Sequence, residues 1–198
     1  MRIVDLGCGA GRDLVSWGVT PADQVTGLDI DDSSLAIAKS RFPDRTFLRG
    51  AGECLPLESE SFDRVISAIA IPYMNIQKTL SEIYRVLVPG GSVSLSLHPP
   101  SFTIAELLHK AIPNPAPTVF RLYVLANGLW FHGTGRTVGF LRGRTESFQT
   151  ERGMKIAMNR AGFVDLSFRR AAGPAGGTFA VEARKSKVID PSTAVRVP

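Results

Sequence analysis

Short apolar runs alternate along the chain with stretches whose apolar residues recur at helical spacing, the pattern of a parallel sheet with crossover helices. Residues 2–6, 24–30, 46–49, 62–67 and 92–97 each read as a strand, with helices expected in the gaps. Asn75 is a good cap for a helix that places Ile76, Leu80, Ile83 and Leu87 on one face before Pro89, Gly90 and Gly91 stop it. A second helix is predicted over 32–42, ended by Pro43, and a third over 151–161 with Gly162 at its end. Residues 163–169 and 178–184 then form strands of an antiparallel hairpin at a sheet edge, joined by the glycine-rich stretch 171–177. From 186 to 198 the chain is polar and aperiodic, a loose tail.

One stretch stands outside this rhythm. Residues 98–149 open with Pro99, Pro100, Pro113, Pro115 and Pro117 and carry the bulky run 122–131. This reads as an insertion that covers a site and binds an acceptor, since long insertions on a compact core are commonly functional. The rest, residues 1–185, is expected to be one domain.

Composition changes this picture little. With 44% hydrophobic and 21% charged residues, a packed core is expected rather than disorder. No apolar run is long enough to span a bilayer and no export signal is legible, so a cytoplasmic protein without a membrane span is expected. The two cysteines, Cys8 and Cys54, make no disulfide framework. The net charge of +5 draws on late arginines such as Arg136, Arg152, Arg160, Arg169 and Arg170, but no aromatic-basic motif accompanies them, and a nucleic-acid partner is not expected.

The chemistry concentrates where the first strand ends. In Val4-Asp5-Leu6-Gly7-Cys8-Gly9-Ala10-Gly11 an acid is followed by three alternate glycines, which allow a tight turn and let a ligand touch backbone. A sharp structural turn is the plain alternative. Roughly 20 residues later Gly27-Leu28-Asp29 ends the second strand with a carboxylate, the spacing at which an acid reaches ribose hydroxyls in a Rossmann-like, doubly wound α/β sheet. Asp31 and Asp32 compete to cap the next helix, which leaves Asp29 for the ligand.

These segments resemble the class I methyltransferases that use S-adenosylmethionine, above all the ubiquinone and menaquinone biosynthesis type. Residues 49–57, 61–67 and 85–91 continue the likeness in the family's order. The resemblance implies a mostly parallel sheet with an antiparallel C-terminal hairpin strand and helices on both faces. It implies S-adenosyl-L-methionine as cofactor and S-adenosyl-L-homocysteine as product, with Gly7, Gly9 and Gly11 along the methionine part and Asp5 holding the loop. It further places Asp29 on the ribose, Ile30 on the adenine face, Gly52 and Glu53 beside the adenine, and Ser67 and Ala68 beneath the amino group and sulfonium. Two departures stand out: Ala51 occupies a position where the family often has an aspartate, and the chain starts at the first strand without the helices that usually precede it. The insertion or a partner subunit would supply that cover, or the start is truncated.

Methyl transfer from a sulfonium needs alignment more than a base. Tyr73, His98, Trp130 and His132 are candidates for touching a small-molecule acceptor, each with a structural alternative, and no catalytic base or metal ligand is assigned. The aromatic run of the insertion suggests a hydrophobic or aromatic acceptor, or equally a helix packed on the core or a contact in a homodimer. The Asn-Pro-Pro-aromatic motif of many base methyltransferases is absent, Ala68-Ile69-Ala70 standing after Ser67. Two other classes remain open. A nicotinamide-dependent oxidoreductase would want glycine where Arg12 stands, and a non-catalytic cofactor-binding module would act through a partner.

Overall fold

The structure is a computed structural model that describes residues 1–14, 16–101, 103–105, 115–140, 145–171 and 178–187. Strands β1 (Arg2–Leu6), β2 (Gln24–Asp29), β3 (Thr46–Arg49), β4 (Phe62–Ala68), β5 (Leu87–Leu97), β6 (Phe163–Ala171) and β7 (Thr178–Lys185) form one sheet in the order β3-β2-β1-β4-β5-β7-β6. The pairings from β3 to β5 are parallel, and β7 runs antiparallel to both its neighbours. β1 lies inside the sheet between β2 and β4, and Ile3, Val4 and Leu6 are almost wholly buried there, as a strand covered on both faces requires.

The helices described in full are α1 (Asp32–Arg41), α2 (Ile76–Val86), α3 (Pro115–Thr134) and α4 (Glu151–Arg160), and a 3-10 turn lies at Ile71–Tyr73. Asp31 caps α1 by accepting from the Ser33 and Ser34 N–H groups, Asn75 caps α2 through Lys78 N, and Thr150 caps α4 through Gly153 N. Each side chain satisfies an amide that the first helical turn cannot. Gly162, at φ +94, closes α4 as expected. Helix α2 buries Ile76, Thr79, Leu80, Ile83 and Val86 against the sheet.

Two local expectations give way. Strand β5 begins at Leu87 rather than at 92, because Leu87 pairs with Phe62 ahead of an irregularity that absorbs Pro89, Gly90 and Gly91. No helix forms between β1 and β2 among the described residues; Gly11 and Gly18 take positive φ and the connection turns back, burying Leu14. The bulky run of the insertion is helical, as part of α3. Its Phe131 is fully buried and meets α4 so closely that a Cβ on Gly153 would lie 2.6 Å from the ring. The joining stretch 172–177 and the tail from 188 lie outside the described residues, while Ser186 hydrogen-bonds Tyr84 at 2.9 Å.

Candidate functional site

At the carboxyl ends of β1, β2 and β4 the chain leaves a cleft of about 320 Å³, the place where open α/β sheets bind ligands. The glycine loop forms one wall. Gly7 N and Cys8 N both donate to Leu28 O, at 2.7 and 3.0 Å, which folds the loop over the end of β2. Gly7, Gly9 and Gly11 have φ of +71, +50 and +73, a region costly for residues with a Cβ. Their surroundings differ: a Cβ on Gly7 would lie 2.2 Å from that of Ala70, one on Gly11 would strike the Phe42 ring, and one on Gly9 would meet nothing within 4 Å. Gly9 is therefore the position where bare backbone faces open space.

Asp29 adjoins the loop. Its Oδ2 accepts from Gly9 N at 2.8 Å and its Oδ1 from Asp31 N at 3.0 Å, so both oxygens are oriented and each keeps a lone pair to spare. Asp5, behind the loop, is 2% exposed and its Oδ2 is buried without a partner. Burial, then the charges of Asp13 and Asp29, push its pKa up to about 7. A cationic group nearby would relieve this penalty. Burial, then the charges of Asp5 and Asp29, push the Cys8 thiol up to about 12, which keeps it protonated.

The other wall is built from residues 50–53 and the turn after β4. Glu53 Oε1 accepts from Asn75 N at 2.7 Å, tying the wall to the start of α2. Beyond it Arg85 bonds the carbonyls of Leu55 and Leu57 and the carboxylate of Glu82, and Glu82 in turn accepts from Leu55 N. A Cβ on Gly52 would lie 2.5 Å from the Met74 sulfur, so glycine there allows Met74 to close against the wall. Ile69, just past β4, holds φ +61, a strained state for a β-branched residue of the kind that clusters at functional sites.

Of the expected cofactor residues, Gly7, Asp29, Ile30, Gly52 and Glu53 line the cleft together, and Ile30 sits exposed at its mouth. Ser67 does not line it: fully buried, it donates to Leu6 O at 2.8 Å and locks β4 to β1. Ala68 is likewise absent from the lining, where Ala70 and Met74 stand instead. Neither residue was singled out in the sequence, although Pro72 inside an apolar run signals a turn that carries its neighbours over the strand ends. Asp5 lies behind the lining rather than in it.

Among the acceptor candidates, Tyr73 lines the cleft and is half exposed. His98 follows β5, with its carbonyl accepting from Gln149 N at 3.1 Å. His132 Nδ1 sits 3.0 Å from Thr150 Oγ1, the cap of α4, outside the cleft. Trp130 is exposed on the outer side of α3 with Val119, Leu122 and Leu129. A depression of about 370 Å³ beside Arg2, Asp23 and Asp44 lies at the opposite, amino ends of the strands and gathers none of these groups.

Comparison with known proteins agrees with this geometry. Residues 4–95 match the family model described as a methyltransferase domain. That match takes in β1 to β4, whose ends carry the cleft, and most of β5. The chain is 29% identical over 203 residues to a demethylmenaquinone methyltransferase of Lactococcus lactis, covering 94% of this chain and 75% of that one. It is 36% identical over 122 residues to a ubiquinone/menaquinone biosynthesis C-methyltransferase of Methylobacterium nodulans, covering 57% of this chain and 44% of the relative. An S-adenosylmethionine-dependent methyltransferase from Mesorhizobium loti shares the fold, with a TM-score of 0.64 at 20% identity over 93% of this chain and 90% of that one.

Proposed function

We propose that the chain transfers a methyl group from S-adenosylmethionine to a small hydrophobic or aromatic metabolite. The observation that carries this is the cleft where Gly7 of the glycine loop, the oriented carboxylate of Asp29, and Gly52 with Glu53 come together at the carboxyl ends of the strands. The residues fit the cofactor: the unpartnered Asp5 oxygen favours a cation, and the open backbone at Gly9 admits the methionine part without a clash. The cofactor, when bound, supplies a methyl carbon activated by the sulfonium. Asp29 would take the ribose hydroxyls, Ile30 would pack on the adenine, and Gly52 and Glu53 would flank it, with Glu53 also keeping α2 in place.

The acceptor has only to be held in line with the methyl carbon, about 3 Å away and out of water. Tyr73 at the cleft and the insertion beyond β5 are the parts of the chain nearest that task. The names of the quinone-modifying relatives support an aromatic acceptor. A nicotinamide cofactor is the weaker reading, since its fingerprint wants a glycine where Arg12 stands.

Titration calorimetry with S-adenosylhomocysteine tests the assignment. Asp29→Ala should weaken binding by about 1.5–3 kcal/mol, the scale of hydrogen bonds to a charged group, and Gly9→Val should abolish it while the protein stays folded. Unchanged affinity in both would remove the cofactor from this cleft. Turnover of labelled S-adenosylmethionine across a panel of hydroquinones and phenols then separates an enzyme from a binding module.

A further inference from the structure

One side of α3 is left uncovered. Val119, Leu122, Leu129 and Trp130 are each more than half exposed, and exposed Ala126 and Gly133 complete the row. Steps of three, four and seven residues bring these six to a single side of a helix, and Val124, Asn127, Gly128 and Phe131 are buried on the other. The chain itself occupies that inner side: a Cβ on Gly128 would strike the Phe148 ring, and Phe131 meets Gly153 of α4. Arg121 pairs with Glu146 and His132 meets Thr150, so no charge interrupts the outer row over about four turns. Single surface leucines are ordinary, whereas a contiguous apolar row marks contact with a protein or a membrane.

The charges around the row say which. On α4, Gly153, Ile156 and Ala157 meet α3, and their chain neighbours Arg152 and Lys155 are exposed. Arg136, also exposed, follows the last turn of α3. Thr134 Oγ1 ties it to the row, accepting from Arg136 N at 3.1 Å and donating to Trp130 O at 2.7 Å. None of these three cations makes an ion pair among the described residues, while the acids of the same stretch are engaged, Glu146 by Arg121 and Glu151 by Arg170. An anionic bilayer surface suits both features, taking apolar side chains between its headgroups and cations against its phosphates. Tryptophan is a residue type that settles at headgroup level. A second copy of the chain suits neither, because it would bring the same cations to the contact. Four helical turns also offer only on the order of 200 Å², against roughly 800 Å² per partner in a stable interface.

We propose that α3 docks the protein on an anionic lipid surface, with Leu122, Leu129 and Trp130 turned into the headgroup and acyl boundary and Arg136, Arg152 and Lys155 on lipid phosphates. No described helix is long and apolar enough to cross a membrane, and α3 is held from within by Asn127 and Phe131, so it lies on the bilayer and does not span it. The inference needs no part of the cofactor assignment, and either can fail without the other.

Flotation of the full chain with vesicles of phosphatidylcholine, and of phosphatidylcholine mixed with phosphatidylglycerol, tests this. The chain should float with the mixed vesicles, less so at high salt, and only weakly with phosphatidylcholine alone. Lys155→Gln should weaken binding to the mixed vesicles about fivefold, the share of one surface cation. Leu122→Ser with Leu129→Ser should weaken it by about tenfold or more while the circular dichroism spectrum stays unchanged. Lipids brominated on their acyl chains should quench tryptophan fluorescence in the unmodified chain, and Trp130→Phe should remove that quenching. No flotation with either vesicle, or flotation untouched by the leucine pair, overturns the proposal. So does a dimer in solution that the leucine pair dissociates, which would assign the row to a second copy. The lipid-composition and quenching comparisons on the unmodified chain decide even where a variant fails to fold.

Discussion

Asp5 concentrates the electrostatics of the molecule in one carboxyl. Its pKa is raised from 3.8 to about 7, chiefly by burial. A carboxyl whose folded pKa lies above its unfolded one supports the folded state fully only below the unfolded value, and this support drains away as pH rises from about 4 to 7. Unfolding free energy from urea titrations should therefore fall by on the order of a few kcal/mol across that window. Asp5→Asn, which cannot ionise, should flatten this slope. Equal slopes for the two proteins would show that Asp5 ionises without penalty. Gly7 and Gly9 make the complementary point, since both take positive φ yet only Gly7 is crowded, by Ala70.

At the scale of elements, the described part of the insertion is fastened. Asn127 Nδ2 donates to Glu146 O at 2.9 Å and its Oδ1 accepts from Val138 N at 2.8 Å, so one buried amide binds α3 to the chain that follows it. The Arg121–Glu146 ion pair at 2.9 Å and the ring contact of Tyr123 with Phe140 at 4.6 Å join the same segments. Asn127→Ala leaves two backbone groups unmatched and should cost about 1–3 kcal/mol, with faster hydrogen exchange at Val138 and Glu146. Trp130→Ala, at an exposed position, should change stability by no more than about 0.5 kcal/mol. Unaltered exchange in Asn127→Ala would show that the ion pair and the ring contact hold α3 without it.

For the whole molecule, one continuous sheet carries both the cleft and the β6–β7 hairpin. Unfolding should be a single cooperative transition, and S-adenosylhomocysteine at 100 times its Kd should add about 2.7 kcal/mol, or roughly 5–10 °C in Tm for a chain of this size. Two separated transitions in calorimetry, only one of them moved by the ligand, would divide the chain into independent units. The net charge of +5 is dispersed over this body: Arg169 pairs with Glu182, Arg170 with Glu151, and Arg160 donates to Thr134 O at 3.0 Å. That arrangement is a solvated surface more than a track for a polyanion.

What the sequence determined by itself is what short-range physics controls. Residues 2–6 and 46–49 pair over the predicted spans, Asn75 caps the helix assigned to it, Gly162 ends α4, and the glycine loop with Asp29 marks the cleft. Apolar periodicity, capping and turn chemistry act over a few residues and are written in them. Tertiary structure alone decided the rest. The early start of β5 depends on a partner strand, at Phe62, and the burial of Ser67 on the carbonyl of Leu6 in β1. His132 spends its ring on a helix cap contributed by Thr150, and Met74 reaches the cleft because Gly52, far from it in sequence, has no side chain to stop it. A side chain's surroundings are set by whatever distant backbone the sheet order brings beside it, and no local pattern encodes that.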